Sequence, residues 1–323
     1  MVNQVILDKV GNTPVVQLSP SELNHIHLYA KMESFNPTGS VKDRAASYII
    51  QTLLNSGEIN KETVIMESSS GNFGVALSSY CRYFGLPFYC IVDPNIASEN
   101  EMLIQRLSTK MIKVTTPDSS GGYLLTRIEK VKELKREIAN SYWINQYGNP
   151  LNASAYYHTL ATELCGQFDQ IDYLFMGVSS GGTISGTSRK VKEMFPNCKV
   201  IAVDMVGSVI FGGAPQKRHI PGIGSSMTPD ILKTAVIDEV MMVDEASTIR
   251  SCHELLDKEM IYAGGSSGSV YSAVKQYFAG KTITGNPNVV MIFADRGERY
   301  GNTIYNPSWY TPFLEPKKTL ELI

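Results

Sequence analysis

The sequence lacks the features that mark several classes of protein. It has no apolar run of the roughly 20 residues that a membrane-spanning helix needs. Residues 1–10, MVNQVILDKV, carry charges where a signal peptide would have an apolar core. The five cysteines are scattered without a CxxC pair, which indicates reduced thiols rather than disulfides or a zinc site. A net charge of −2 gives no field to attract nucleic acid. We therefore expect a cytoplasmic protein that binds no metal, membrane or nucleic acid.

The remaining composition and pattern are typical of an α/β protein. Hydrophobic residues make up 43% of the chain and charged residues 19%, as in folded globular domains. Short apolar runs alternate with helix-like stretches, which predicts mostly parallel sheets flanked by helices. The predicted strands are 27–32, 63–67, 88–93, 173–178, 199–204 and 289–294. The predicted helices are 43–55, 72–84, 98–107, 121–139, 152–167, 184–194, 245–258 and 268–279.

Four turns rich in glycine or serine each follow a predicted strand and precede a predicted helix. Ligands of open α/β sheets bind at this edge, where helix N-termini direct free N–H groups at anions. The first turn runs from Asn36 to Arg44 and brings Lys42 to the start of a helix. A lone lysine is ordinarily a solvated surface charge. Near a helix N-terminus, however, a desolvated lysine has a lowered pKa and becomes the amine that Schiff-base chemistry needs.

The other three turns favour anion binding to different degrees. The Ser-Ser-Gly turn at 69–71, followed by Asn72, has more polar groups than one helix cap requires and can bind a carboxylate. The turn at 177–186 can cradle a phosphate, yet it has neither the P-loop lysine nor the dinucleotide spacing. A monophosphate such as that of pyridoxal phosphate therefore suits it better. The turn at 263–269, taken alone, is another helix cap.

In combination these motifs resemble the cysteine synthase/cystathionine β-synthase family, whose members are pyridoxal-phosphate enzymes of fold type II. The resemblance runs from about residue 8 to residue 301. Besides the four turns it rests on Gly11-Asn-Thr-Pro14, Gly222-Ile-Gly224 and Asp295-Arg-Gly-Glu-Arg-Tyr300. It implies a two-lobed α/β fold like that of tryptophan synthase β and a homodimer. The smaller lobe would span residues 45–148, and residues 1–44 and 149–323 would form the larger one.

The resemblance also implies a role for each turn. Lys42 would hold pyridoxal 5'-phosphate and later remove the substrate's Cα proton. Asn72 would bind the ring's phenolic oxygen, and Ser266 would face the pyridine nitrogen without keeping it protonated, which favours β-elimination. The implied cofactor-binding residues are Lys42, Asn72, Ser179, Ser180, Gly181, Gly182, Thr183 and Ser266. The implied residues for the substrate carboxylate are Ser69, Ser70, Gly71 and Gln146. A second substrate would then add to the β-carbon.

Departures from the cysteine synthase pattern suggest which substrates are used. Phe73 stands where cysteine synthases carry threonine, Arg127 replaces a small residue, and Tyr147 follows Gln146. With GGYLLTRI, YWINQY and GSVIFG, these departures are similar to the N-(2-amino-2-carboxyethyl)-L-glutamate synthases of diaminopropionate and siderophore biosynthesis. The implied substrates are O-phospho-L-serine and L-glutamate, with Arg127 and Tyr147 binding the extra anionic groups. The plainer alternatives are that Arg127 is a solvated helix charge paired with Glu129 and that Tyr147 is simply packed.

Other functions stay open at this point. A cysteine synthase that uses O-acetylserine or O-phosphoserine with sulfide would keep every cofactor residue and differ only at the mouth of the site. A full-length cystathionine β-synthase is disfavoured, since neither a haem-binding segment nor a regulatory domain is evident. A catalytically silent paralogue would not need Lys42, Asn72 and Ser266 together. A nucleotide-binding α/β protein would need the missing phosphate fingerprints.

Overall fold

A computed structural model describes residues 5–118, 121–281, 283 and 285–315. Their strands form a six-stranded sheet in the order β1-β2-β10-β7-β8-β9 and a four-stranded sheet in the order β5-β4-β3-β6. Every pair of neighbours is parallel except β1 and β2. The strands are β1 (Val15–Leu18), β2 (His27–Met32), β3 (Val64–Ser68), β4 (Phe88–Val92), β5 (Lys110–Lys113), β6 (Ser141–Trp143), β7 (Tyr173–Gly177), β8 (Lys199–Met205), β9 (Glu239–Val243) and β10 (Asn288–Phe293). The predicted α/β class is confirmed.

The helices cover the faces of both sheets. They are α1 (Lys42–Ser56), α2 (Asn72–Tyr83), α3 (Ser98–Leu107), α4 (Leu124–Glu137), α5 (Pro150–His158), α6 (Leu160–Gln167), α7 (Gly182–Met194), α8 (Glu245–Glu259), α9 (Gly265–Phe278) and α10 (Pro307–Leu314). Over the ranges that the structure describes, no helix has the length and apolar character of a membrane span. Parallel strands need such crossover helices, and both faces of each sheet are thereby removed from water.

One predicted helix was wrong in its extent. Residues 152–167 form two helices, because Thr159 leaves the helical region at φ −116° and ψ −82°. Its hydroxyl donates to the Ala155 carbonyl at 2.6 Å, which ends α5. The first of the two helices packs closely on α7, since a Cβ added at Gly186 would lie 2.0 Å from the Ala153 carbonyl oxygen. Glycine at that position is what allows the two backbones to approach.

The boundary between the lobes stays a prediction. The four strands of the smaller sheet come from residues 64–143, inside the proposed 45–148 lobe. The six strands of the larger sheet come from both ends of the chain. At the proposed crossing point, Asn149 caps α5 by accepting from the Leu151 N–H at 3.0 Å, and Pro150 opens the helix. Proline suits the first helical position because its missing N–H would have no partner there.

A buried ion network fixes the start of α1. The Arg44 guanidinium contacts Glu33 through two nitrogens, at 2.6 and 2.8 Å, and also reaches Glu163 at 2.6 Å. Lys31 joins the network at 2.8 Å from Glu163 and donates to the Thr13 carbonyl at 2.7 Å. Although burial opposes it, the neighbouring Arg44 and Lys31 lower the pKa of Glu163 to about 2. These contacts tie β2, α6 and the Gly11–Pro14 loop to α1, two residues from Lys42.

Removing the guanidinium should destabilise the protein strongly. We expect Arg44→Gln to lower the free energy of unfolding by about 3–5 kcal/mol, because the fully buried Glu33 would lose its cation and Glu163 would keep only Lys31. Urea denaturation of the full chain measures the change. Lys233→Ala removes an exposed ion pair with Asp230 and should cost less than about 1 kcal/mol. Equal losses in the two variants would contradict the role given to the network.

Candidate active site

Lys42 is the first residue of α1 and lines a cavity at the carboxyl edge of the larger sheet. Its turn is held in place by two contacts: the Val41 N–H donates to the Ala294 carbonyl at 2.8 Å, and Asp43 accepts from the Thr38 hydroxyl at 2.6 Å. Burial lowers the pKa of Lys42 from 10.5 to about 8, and the negative charge of Asp295 acts in the opposite direction. About a tenth of this lysine is therefore neutral, nucleophilic amine at pH 7, far more than for a solvated lysine.

The cavity brings together most of the predicted cofactor residues. About 460 Å³ of empty space, open solvent at its mouth included, lies among them. The lining residues are Val41, Lys42, Met176, Gly177, Ser179, Ser180, Gly181, Thr183, Ile184, Gly222, Ser266, Ile292 and Ala294. Gly182 and Asn72, which were also predicted, do not line it. Gly182 begins α7, and Asn72 begins α2 and donates to Asp295 at 2.7 Å.

One end of the cavity is built to hold an anion. Gly181 adopts φ +83°, which turns the chain from β7 into α7. The first turn of α7 leaves the N–H groups of Gly182, Thr183 and Ile184 without an acceptor inside the helix. A Cβ at Gly182 would lie 2.5 Å from the Asn152 side chain, so the tight turn requires glycine. An amine, free N–H groups at a helix N-terminus and the Ser266 hydroxyl around one cavity fit pyridoxal phosphate.

The Ser69–Gly71 turn follows β3, at the carboxyl edge of the smaller sheet. The Ser69 hydroxyl accepts from the Gly74 N–H at 3.0 Å, as a helix-capping side chain does. Gln146 is buried and donates to the Ser68 carbonyl at 3.2 Å. Phe73 is packed in the hydrophobic core, so its bulk is directed away from the turn. Ser69, Ser70, Gly71 and Gln146 thus meet at one edge, and part of their hydrogen-bonding capacity serves the fold.

Arg127 lies against this turn and is not a solvated charge. It projects from α4, and only 12% of its side chain is exposed. Its Nη1 donates to the Ser70 hydroxyl at 3.0 Å and lies 3.1 Å from Asp93. Glu129, the alternative partner from the sequence, pairs with Lys132 instead. The Nε of Arg127 is buried and has no hydrogen-bond partner in the described part of the chain.

Tyr147 follows Gln146 and is close enough to two arginines for their charges to act on its phenol. Burial raises the pKa of its phenol, while the charges of Arg127 and Arg218 act to lower it. Arg218 donates to the Ile223 carbonyl at 3.4 Å, and its Nε is buried without a partner among the described residues. The main chain of Tyr147 accepts from the Ile231 N–H at 3.1 Å. The charges of two cations from different parts of the chain therefore act on one tyrosine.

Sequence reasoning missed three acidic residues of the site. Asp93 contacts Ser70 and Arg127, and Asp295 accepts from Asn72. Glu67 is buried under the Ser69–Gly71 turn, and burial raises its pKa to about 7. Asp93 follows β4 directly and Asp295 lies two residues beyond β10, at the strand ends where polar side chains of parallel sheets gather. That position was the available signal, and it was not used.

Comparison with known proteins gives the same class. Residues 6–295 match the family described as pyridoxal-phosphate dependent enzyme. An O-acetylserine dependent cystathionine β-synthase from Helicobacter pylori is 32% identical with a TM-score of 0.87, covering 95% of this chain and 100% of its own. A hydrogen sulfide-producing enzyme from Fusobacterium nucleatum is 28% identical with a TM-score of 0.86, covering 93% and 100%. O-Ureido-L-serine synthase is 28% identical with a TM-score of 0.84, covering 94% and 95%.

The fold and the cavity around Lys42 define a pyridoxal-phosphate enzyme of fold type II. The chain belongs to the pyridoxal-phosphate dependent enzyme family, and pyridoxal phosphate is its cofactor. Its solved relatives place it with the enzymes of the cystathionine β-synthase and cysteine synthase type.

The pH dependence of cofactor attachment tests the state of Lys42. In cofactor-free protein, the rate of covalent attachment of added pyridoxal phosphate should rise with pH and level off above a midpoint near 8. The sign follows because only the neutral amine attacks, and burial shifts its formation to lower pH. Absorbance stopped-flow measures the rate. Lys42→Arg should form no covalent adduct, and a wild-type midpoint near 10.5 would mean that the amine is fully solvated.

Proposed function

We propose that this enzyme catalyses a β-replacement in which O-phospho-L-serine loses phosphate and L-glutamate supplies the new substituent. The amine nitrogen of glutamate bonds to the β-carbon, which gives N-(2-amino-2-carboxyethyl)-L-glutamate. This product leads towards 2,3-diaminopropionate and siderophore biosynthesis through a later oxidative step by another enzyme. The observation that carries the proposal is Arg127, a nearly buried cation against the turn expected to bind the substrate carboxylate.

The donor capacity of Arg127 supports recognition of an additional anion. A guanidinium has five N–H donors in a planar fork. Only Nη1 contacts Ser70 and Asp93, and the buried Nε has no partner among the described residues. Buried donors of this kind ordinarily find an acceptor. A phosphate or a second carboxylate would provide it with charge-assisted hydrogen bonds. Tyr147 and Arg218 add a phenol and a second cation at the same mouth.

The other residues act on the part of the substrate that every enzyme of this type handles. The cofactor supplies the electron sink for the Cα carbanion. Lys42 binds the cofactor and, once free, takes the proton from Cα, for which its lowered pKa suits it. The Ser69–Gly71 turn and Gln146 bind the α-carboxylate. Closure of the smaller lobe on the substrate would exclude water from the reacting carbon.

A cysteine synthase that uses sulfide is the alternative. It is favoured by the names of the relatives, which include a hydrogen sulfide-producing enzyme and an O-acetylserine dependent synthase. The contact between Arg127 and Asp93 also fits it, because a neutralised arginine need not bind substrate. The two functions differ only in the leaving group and in what adds to the β-carbon.

Phosphate release and the cofactor spectrum separate these functions. With O-phospho-L-serine alone, the absorption of the bound cofactor should shift and phosphate should be released once per site. Addition of L-glutamate should restore the spectrum and make phosphate release continuous, with the amino acid product identified by mass spectrometry. If only sulfide restores the spectrum, the enzyme is a cysteine synthase and the glutamate assignment is wrong.

Substitution of Arg127 tests its role in that reaction. We expect Arg127→Ala to lower kcat/KM for glutamate-dependent turnover by about 10–100-fold, the size of a lost hydrogen bond to a charged group. Arg136→Ala, an exposed change on the same helix, is the matched control and should leave turnover within about twofold, as surface changes usually do. Full glutamate-dependent activity in Arg127→Ala would contradict the assignment.

We also propose that the enzyme is a cytoplasmic homodimer. The homodimer is supported by a large groove rich in apolar side chains. Its lining residues include Ile6, Tyr83, Leu103 and Leu107. Ile6 and Tyr83 are exposed, and apolar surface of this kind ordinarily marks an interface. Sedimentation equilibrium should give twice the 35.6 kDa mass of one chain. Ile6→Asp should shift the mass towards one chain, and a wild-type monomer would refute the assembly.

A further inference from the structure

One residue outside the proposed mechanism contacts three of the turns around the cavity. The side chain of Asp295 accepts from the Asn72 amide at 2.7 Å. Its main-chain carbonyl accepts from the Gly264 N–H at 3.1 Å, in the turn that precedes Ser266. A β-bridge joins it to Ser40, two residues before Lys42. Asp295 follows β10 and thus connects the turns that carry Asn72, Ser266 and Lys42.

We propose that Asp295 is a positioning residue that acts through Asn72 to hold its amide in a donating orientation toward the cofactor. A carboxylate only accepts hydrogen bonds, so the nitrogen end of the Asn72 amide must face it. Within the described residues this is the one hydrogen bond of the Asn72 side chain. The second N–H of that nitrogen then stays free for an acceptor oxygen on the ring. With no partner, the amide could present its oxygen instead.

The surroundings of the carboxylate hold it in one place. The Tyr300 hydroxyl donates at 2.9 Å to the same oxygen, Oδ2, that accepts from Asn72. The other oxygen, Oδ1, is so close to the chain that a Cβ at Gly264 would lie 1.9 Å from it. Rotation of the carboxylate is therefore blocked on one side and bonded on the other. The acceptor that orients Asn72 is a fixed group.

The energetics of this arrangement indicate a role in the site. Asp295 is 3% exposed, and its Oδ1 has no hydrogen-bond partner among the described residues. A buried polar oxygen without a partner destabilises a fold, and such exceptions concentrate at functional sites. Burial raises the pKa of Asp295, and the neighbouring charges of Arg299 and Lys42 oppose that rise. Burial also raises the pKa values of Tyr300 and Cys252, and the negative charge of Asp295 adds to that rise.

A double-mutant cycle on cofactor affinity tests the proposal without any substrate. The dissociation constant of pyridoxal phosphate is measured by fluorescence titration of the full chain, and the absorption band of the bound cofactor is recorded. We expect Asp295→Ala and Asn72→Ala each to weaken affinity by about tenfold. Because one residue acts through the other, the double variant should lie within about twofold of Asn72→Ala. Both single variants should shift the absorption band in the same direction.

Two further variants make the outcome decisive. Asp295→Asn keeps the size and one acceptor oxygen, so it should lose only about threefold in affinity, and nothing further in the Asn72→Ala background. This arm gives the answer if Asp295→Ala does not fold. Asp204→Asn removes another buried aspartate, from β8 of the same sheet, and should leave affinity and absorption unchanged. Equal losses with and without Asn72, or wild-type affinity in Asp295→Ala, would overturn the proposal. Neither result bears on the glutamate reaction.

Discussion

The site depends first on the guanidinium of Arg44. It is buried between Glu33, which follows β2, and Glu163, which lies in α6. Because Arg44 lies in the first turn of α1, any movement of that turn would separate charges that have no access to solvent. Because a buried charge that loses its partner is strongly destabilising, these side chains are held in the geometry in which they are paired. Lys42 lies two residues before Arg44, so the contacts of Arg44 also fix the position of Lys42.

A second constraint is that two opposing effects act on the pKa of Lys42. Burial favours its neutral form, and the charge of Asp295 favours its protonated form. The residue can therefore change protonation near neutral pH, as a group that must both attach a cofactor and move a proton requires. Lys42, the first turn of α7 and Ser266 line one cavity. The turns before α1, α7 and α9 thus position the reactive amine and the groups that fit the cofactor around the same cavity.

The apolar pattern of the sequence was sufficient to predict the buried central strands, but it did not predict the strands at the edges of the sheets. The strands predicted at 27–32, 88–93 and 289–294 are long, apolar and central, and the structure has them within one residue. The strands β1, β5, β6 and β9 were missed because they are short edge strands with half-exposed and exposed residues. In such strands the partner decides the structure more than intrinsic preference does.

The sequence predicted which residues of the site carry the chemistry, from their types and their order along the chain. It did not predict the residues with which they form hydrogen bonds and ion pairs. The turn around Lys42 carries its motif in nine consecutive residues, so the sequence contains the whole signal. The pairing of Arg127 with Asp93 joins α4 to the end of β4, and it exists only in the folded chain. The alternative of a solvated Arg127 was wrong for the same reason, since exposure depends on tertiary packing.

The hydrogen bond between Asn72 and Asp295 spans 223 positions of the chain. During synthesis, the first of these residues leaves the ribosome long before the second. Contacts of such separation form late in folding, because a long loop must close before they gain anything. The nascent chain can therefore complete its smaller sheet while its cofactor pocket is still missing a wall. Newly made protein becomes competent to capture its cofactor only after β10 and the residues that follow it have been synthesised.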